Sequence, residues 1–243
     1  AKLFYLEEKI KHIFKSYKLN EIRTPVLEDT NLFIRSVGRA SDIANKEIYS
    51  FSDRNDKGIA LRPEGTASVI RSIVEKKLDQ SNHKLWYMGP MWRYERPQKG
   101  RYRQFNQAGV EILGIPEGMP EFEMISIVCS IIKEFNLENC TIKINHLGNQ
   151  KSKESFCNAL IDFLEPHKKL LDEKDNQRLE KNPLRVLDTK NTNTQEILKN
   201  APSIKEFLDS SSVNLLNSIK NEFSDICNIE IDYTLVRGLD YYS

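Results

Sequence analysis

Two strand-like runs frame the most densely basic stretch of this chain. "KLWYMGPMWRYE" (84–95) and "QFNQAGVEILG" (104–114) are rich in aromatic and branched residues, the composition of a pleated, half-buried surface. Between and within them, "RYERPQKGRYRQF" (93–105) gathers Arg93, Arg96, Lys99, Arg101 and Arg103 around one acid, Glu95, and a Gly. Such runs joined by a polar, Gly-containing connection predict a hairpin of long antiparallel strands. The chain as a whole is nearly neutral, formally +1 over 243 residues. Crowded cations repel one another, so the loop is expected either to be fully solvated or to face an anionic partner. The neutral balance argues against a nonspecific nucleic-acid coat.

Strand alternation sorts the second run into two faces. Phe105, Gln107, Gly109, Glu111 and Leu113 share one face; Asn106, Ala108, Val110 and Ile112 share the other, which is expected to face helices. A strand Gly often marks a close approach to the backbone, so Gly109 is a candidate slot, with Gln107 and Glu111 roughly 13 Å apart at its ends. A solvent-facing polar face with an incidental Gly fits the same pattern. Arg93 ends the opposite strand, where its planar fork suits an oxyanion or phosphate. A salt bridge to Glu95 or Glu111 is the alternative.

Several chemistries are not signalled. The sequence has no GxxxxGK[ST] or GxGxxG for phosphates, and no GxSxG or HExxH. His12, His83, His146 and His167 are scattered and read as structural or surface residues; no metal-ligand set is expected. The cysteines (129, 140, 157 and 227) form no CxxC pair and read as buried thiols of a reducing cytosol. No apolar run approaches the eighteen residues of a membrane span, and the first residues read as amphipathic helix rather than a signal peptide.

Helical spacing of Leu3, Leu6, Ile10, Ile13, Phe14 and Tyr17 predicts a helix over 1–18. "EIRTPVLE" reads as a short strand ending near Pro25, and 47–51 with 58–62 as paired strands. Thr66 is placed to cap a helix through "ASVIRSIVEKKL", a second helix covers 119–136, and "CTIKINHLG" is a strand. Strands adjacent in sequence favour an α+β fold with an antiparallel sheet. Residues 149–224 turn polar and helical, with segments 152–164, 203–209 and 212–223, and only "LRVLDT" has strand character. The expected organisation is a core over 1–147, a helical insertion over 148–224, and a return to the core over 225–243.

Three passages, "LRPEGTAS" (61–68), "YMGPMWRYERPQKGRYRQFNQAGVEILG" (87–114) and "LVRGLDYYS" (235–243), together resemble the histidyl-tRNA synthetases, a class II aminoacyl-tRNA synthetase family. They look like that family's ammonium-binding loop, its motif 2 and a histidine-specific stretch. The helix and strand ending at "RTPVLE" (23–28) resemble motif 1, the dimerisation element, more loosely, and "NPLRVLDTK" (182–190) resembles the family's helical insertion. The resemblance implies an antiparallel sheet of six strands flanked by helices, a cytoplasmic homodimer with no membrane attachment, and ATP with Mg²⁺. It implies histidine activation to the adenylate, then transfer to tRNA(His).

The resemblance also implies site roles. Glu64 and Thr66, with Gly65 between them, would receive the α-ammonium, and Gln107 would also touch the amino-acid end. Glu111 would bond the imidazole, beside Tyr242, with Tyr241 shaping the pocket. Arg93 and Arg237 would flank the α-phosphate, and Arg101 would reach the outer phosphates. Phe105 would stack on adenine, with Glu95 near its exocyclic amine. Motif 3, a second histidine-specific stretch and an anticodon domain do not occur in these 243 residues, so the chain alone is expected to adenylate histidine poorly. Two other readings fit part of the pattern: a non-catalytic histidine sensor, such as the regulatory subunit of ATP phosphoribosyltransferase, and an RNA-binding module using residues 93–103.

Overall fold

The computed structural model describes residues 2–37, 46–96 and 98–236, and the chain divides into two units, 1–139 and 140–243. The first unit opens with α1 (Lys2–Ser16), β1 (Asn20–Glu21), β2 (Leu27–Asp29), α2 (Thr30–Val37), β3 (Ser50–Ser52) and β4 (Gly58–Leu61). It continues with α3 (Thr66–Glu75), β5 (His83–Trp92), β6 (Gln104–Leu113) and α4 (Met119–Glu134).

The hairpin is the spine of this unit. β5 and β6 pair antiparallel over ten residues each, from His83↔Leu113 to Trp92↔Gln104. The ladder continues where the Arg93 amide bonds the Arg103 carbonyl (2.9 Å), and Gln98 and Arg101 bridge around a tight turn at Gly100, whose φ is +81°. The basic stretch is therefore a hydrogen-bonded tip in which Arg96, Lys99, Arg101 and Arg103 are exposed.

Alternation along β5 separates two apolar layers. Trp86 and Met88 join Ile13, Phe14 and Leu19 from the α1 region, and Ile127 from α4, with Val110 of β6 against them. Leu85, Tyr87 and Met91 pack on the opposite side with Val69 of α3 and with Phe105. The face holding Asn106 and Ala108 was expected to meet helices along its length. Only its Val110 and Ile112 end is partly covered; Asn106 and Ala108 are exposed.

"EIRTPVLE" is not one strand. β1 pairs parallel with β5, while β2 pairs antiparallel with β4, which also pairs with β3. Residues 22–26 cross between the sheets, and Pro25, lacking an amide hydrogen, suits a break rather than a ladder. The buried Arg62 guanidinium ties this break down: Nη1 donates to the Thr24 carbonyl (2.9 Å) and Nε to the Pro90 carbonyl (3.0 Å). An ion pair then joins α3 to β2, with Arg71 Nη2 2.7 Å from the buried Glu28.

In the second unit, β7 (Thr141–Ile144) and β8 (Asn228–Ile231) form a parallel pair, which requires a long crossover. That crossover is the helical segment: α5 (Gln150–Leu164), α6 (Glu173–Lys181), α7 (Thr192–Leu198) and α8 (Ser210–Glu222), with short 3₁₀ turns between them. Each helix starts at an Asn or Asp whose side chain accepts an amide hydrogen of the first turn: Asn149, Asp172, Asn191 and Asp209. The polar composition of the segment thus encodes its helix starts. Leu160, Leu164, Leu179 and Val186 form one core there, and Phe156, Leu184 and Ile204 another. "LRVLDT" is not a strand; Pro183–Asp188 is a 3₁₀ helix, with Leu184 and Val186 turned inward.

The architecture is α+β, as expected, and the described strands form three small sheets, two of them with parallel pairs. The thiols also differ from expectation: Cys129 is buried, Cys140 is exposed, and Cys157 and Cys227 are intermediate.

Candidate functional site

The site is built on the face of the hairpin that meets the start of α3. Thr66 was expected to cap that helix. Glu64 does so instead: its carboxylate accepts the amides of Thr66 (2.7 Å) and Ala67 (3.0 Å). An acid is well placed there, because unpaired amides and the helix dipole favour negative charge. The Thr66 hydroxyl is left to reach across to β6, where it donates to Glu111 Oε1 at 2.7 Å.

Two carboxylates therefore share one partly dry corner. Glu64 is only 3% exposed, and burial raises its pKa against the pull of the two amides, the Thr66 hydroxyl and Arg93. Burial likewise raises Glu111, opposed by the Thr66 hydroxyl and reinforced by the charge of Glu64. Nearby on the same strand face, Gln107 Oε1 is buried with no hydrogen-bond partner among the described residues. A buried acceptor left empty is uncommon and calls for a donor. Two desolvated acids plus an idle acceptor form a site for a cation with N–H groups.

The other end is basic and aromatic. The Arg93 guanidinium lies over the Phe105 ring, 5.1 Å from its centroid, and its Nε donates to the Pro63 carbonyl at 2.9 Å. Glu95 lies 3.9 Å from Arg93 Nη1 and 3.2 Å from Arg101 Nη1. The Pro63 bond uses Nε and fixes the guanidinium plane, leaving the Nη edge to grip an anion. Phe105 and Glu111 are six residues apart on one face, about 20 Å along the strand, so one extended ligand can touch both ends.

Gly109 does not open the slot expected of it. Tyr87, its partner in the register, lays its ring there: a Cβ on Gly109 would fall 2.2 Å from Tyr87 Cζ. Tyr87 and the Pro63 carbonyl were not singled out from the sequence. The alternation of β5 put Tyr87 on a face, but only the register sets it against Gly109. Arg237, Tyr241 and Tyr242 lie outside the described residues. Glu64, Gly65, Thr66, Arg93, Glu95, Arg101, Phe105, Gln107 and Glu111 all gather on the α3 side of the hairpin and its tip.

The family profile for histidyl-tRNA synthetase matches residues 2–243. The chain belongs to the histidyl-tRNA synthetase family. A histidine–tRNA ligase of Microcystis aeruginosa is 46% identical over 98% of the chain, which spans 57% of that relative's length. The crystal structure of apo S. aureus histidyl-tRNA synthetase superposes with a TM-score of 0.76 at 34% identity, covering all of this chain and 55% of that one. A Bacillus halodurans structure described as an ATP phosphoribosyltransferase regulatory subunit/histidyl-tRNA synthetase reaches a TM-score of 0.63 at 19% identity, over 98% of this chain and 65% of that one. At that identity it shares the fold alone.

Proposed function

We propose that this chain carries histidine-activating residues of a cytoplasmic histidine–tRNA ligase. The observation that carries the reading is the Gln107 acceptor, which has no partner among the described residues, beside the two desolvated carboxylates, Glu64 and Glu111. Histidine offers both things this corner lacks: an α-ammonium for Glu64, Thr66 and Gln107, and an imidazole N–H for Glu111. The Thr66 hydroxyl donates its hydrogen to Glu111, and its oxygen keeps lone pairs to accept from the ammonium. An amino acid with an apolar side chain of the same shape would leave the desolvated Glu111 without its imidazole partner, which is a strong basis for rejection.

At the other end Phe105 receives adenine, Glu95 its exocyclic amine, and Arg93 the α-phosphate, with Arg101 on the outer phosphates. ATP then replaces the Arg93–Phe105 and Arg101–Glu95 contacts. The histidine carboxylate oxygen attacks the α-phosphorus; the new O–P bond forms as the bond to pyrophosphate breaks. Catalysis here is mostly alignment and neutralisation of developing charge, which fixed guanidinium groups supply. Arg237 is proposed to share that charge, and Tyr241 and Tyr242 to line the histidine pocket. In the second step a 3′-terminal ribose hydroxyl of tRNA(His) attacks the acyl carbon and AMP leaves.

Among the described residues no group of three or more His, Cys, Asp or Glu is arranged to cage a metal. This donor set suits Mg²⁺ held mainly by the phosphates of ATP, whose negative charge it neutralises.

A second copy of the chain is the proposed cover for exposed Val26, Leu27, Phe51, Ile70 and Val74 on and beside β2, β3 and α3, which favours a homodimer. Among the described residues no helix is long and apolar enough to cross a membrane.

Histidine-dependent exchange of pyrophosphate into ATP, followed by charging of tRNA(His), tests the reading in the full-length protein. Arg237→Ala is expected to slow exchange by orders of magnitude with folding intact; an unaltered rate removes its role. Histidine binding without exchange or charging would favour the sensor alternative.

A further inference from the structure

We propose that Tyr87 is a positioning residue: its ring is the spacer that sets the gap between the 63–66 loop and β6, and through that gap the affinity for histidine. The proposal rests on the histidine reading above. Tyr87 is 6% exposed and pairs with Gly109. A Cβ on Gly109 would lie 2.2 Å from its Cζ, and a Cβ on Gly65 would lie 2.2 Å from its Cε2. One ring thus touches the backbone on both sides, and neither glycine has room for even a methyl group.

The two glycines occupy telling positions. Gly65 separates Glu64 from Thr66, and Gly109 lies midway between Gln107 and Glu111. Gly65 has φ −106°, a conformation open to any residue, so space rather than backbone freedom demands glycine there. Val69 and Met91, both fully buried, pack with the ring and hold it in place. The Thr66–Glu111 bond spans this same gap at 2.7 Å. A thinner residue lets the loop settle toward β6 or leaves a void, and a methyl on either glycine drives the walls apart. Both change the spacing of the groups that meet the ammonium and imidazole. The phosphate end meets this loop at the Pro63 carbonyl, through Arg93 Nε, but its strands are held in register by the hairpin ladder and the Arg93–Arg103 backbone bond, so it should feel the change less.

The test titrates histidine and ATP separately in exchange assays on the full-length enzyme, with thermal unfolding alongside. Tyr87→Ala should raise the histidine KM about tenfold or more while the ATP KM moves less than about twofold, because small misplacements are costly at a preorganised site. Tyr87→Phe keeps the ring and should restore the histidine KM; Tyr87→Leu stands in if the alanine variant does not fold. Gly109→Ala should lose both histidine affinity and thermal stability, and Tyr87→Ala in the same chain should recover part of each. Equal rises in both KM values, a Tyr87→Phe variant as impaired as Tyr87→Ala, or no coupling between positions 87 and 109 would each overturn the proposal. A parent enzyme without histidine-dependent exchange would sink the synthetase reading, while the thermal coupling would still decide whether the ring is the spacer.

Discussion

Replacing Glu111 with Gln should make the protein more stable and a worse binder of histidine. The change keeps the shape of the side chain and an oxygen to accept from the Thr66 hydroxyl. It removes a half-buried charge whose ionisation is opposed by burial and by Glu64. A neutral acceptor in place of a charged one loses about 1 kcal/mol of hydrogen bonding. Relief from desolvating a charge is worth several kcal/mol when fully buried, and less at this partly exposed position. The net gain is on the order of 1–2 kcal/mol, or about 3–6 °C in Tm for a domain of this size.

The sign of the pH dependence follows from the raised pKa. Between its unfolded and folded values the native state binds more protons than the unfolded chain, so parental stability falls as pH rises through that window. The Gln variant lacks this loss. The two melting curves should therefore coincide below about pH 4, where both side chains are neutral, and separate as pH rises. Binding moves the other way. Loss of the charged partner for the imidazole N–H should cost about 2–3 kcal/mol, roughly 30- to 150-fold in histidine affinity, with ATP affinity little altered. Thermal scans across pH 3.5–8 and calorimetric titration with histidine read both. A variant that melts below its parent at neutral pH, or binds histidine within twofold of it, refutes the argument.

Other outcomes follow from the same geometry. Thr66→Val should strand the Glu111 oxygen without its donor and cost about 1–3 kcal/mol, seen as a lower denaturant midpoint and weaker histidine binding. Arg93→Lys should keep the fold but lose the Pro63 anchor and the two-pronged grip, lowering exchange by about 100-fold or more at saturating substrates. Glu28→Ala should leave Arg71 with Glu75 as its remaining carboxylate and destabilise the first unit by about 1–2 kcal/mol in urea unfolding. Leu160→Ala, at a fully buried position of the second unit, should cost about 2–5 kcal/mol.

Much was legible from local signals. Helical spacing placed α1 and α4, runs of branched and aromatic residues placed β5 and β6, and Asn and Asp caps lie within the polar 149–224 segment. The chemistry-bearing side of β6 was legible too, because a period of two fixes which residues share a face. The errors occurred where local pattern does not decide. "LRVLDT" has strand-like composition, yet Pro183 removes an amide and neighbouring helices take its Leu and Val inward. "EIRTPVLE" divides between two sheets because Arg62, distant in sequence, binds the carbonyl at its break.

By itself the sequence determined the elements and the residue types available to the site: acids, an amide and a hydroxyl at one end, guanidinium groups and an aromatic ring at the other. Tertiary structure alone decided how they are used. Glu64 rather than Thr66 caps α3, because the turn before the helix aims the longer carboxylate at the amides. That leaves the Thr66 hydroxyl for Glu111, while Gln107 Oε1 has no partner among the described residues. Tyr87 fills the space at Gly109 because hairpin register sets them opposite, and register depends on pairing across the sheet rather than on either strand alone.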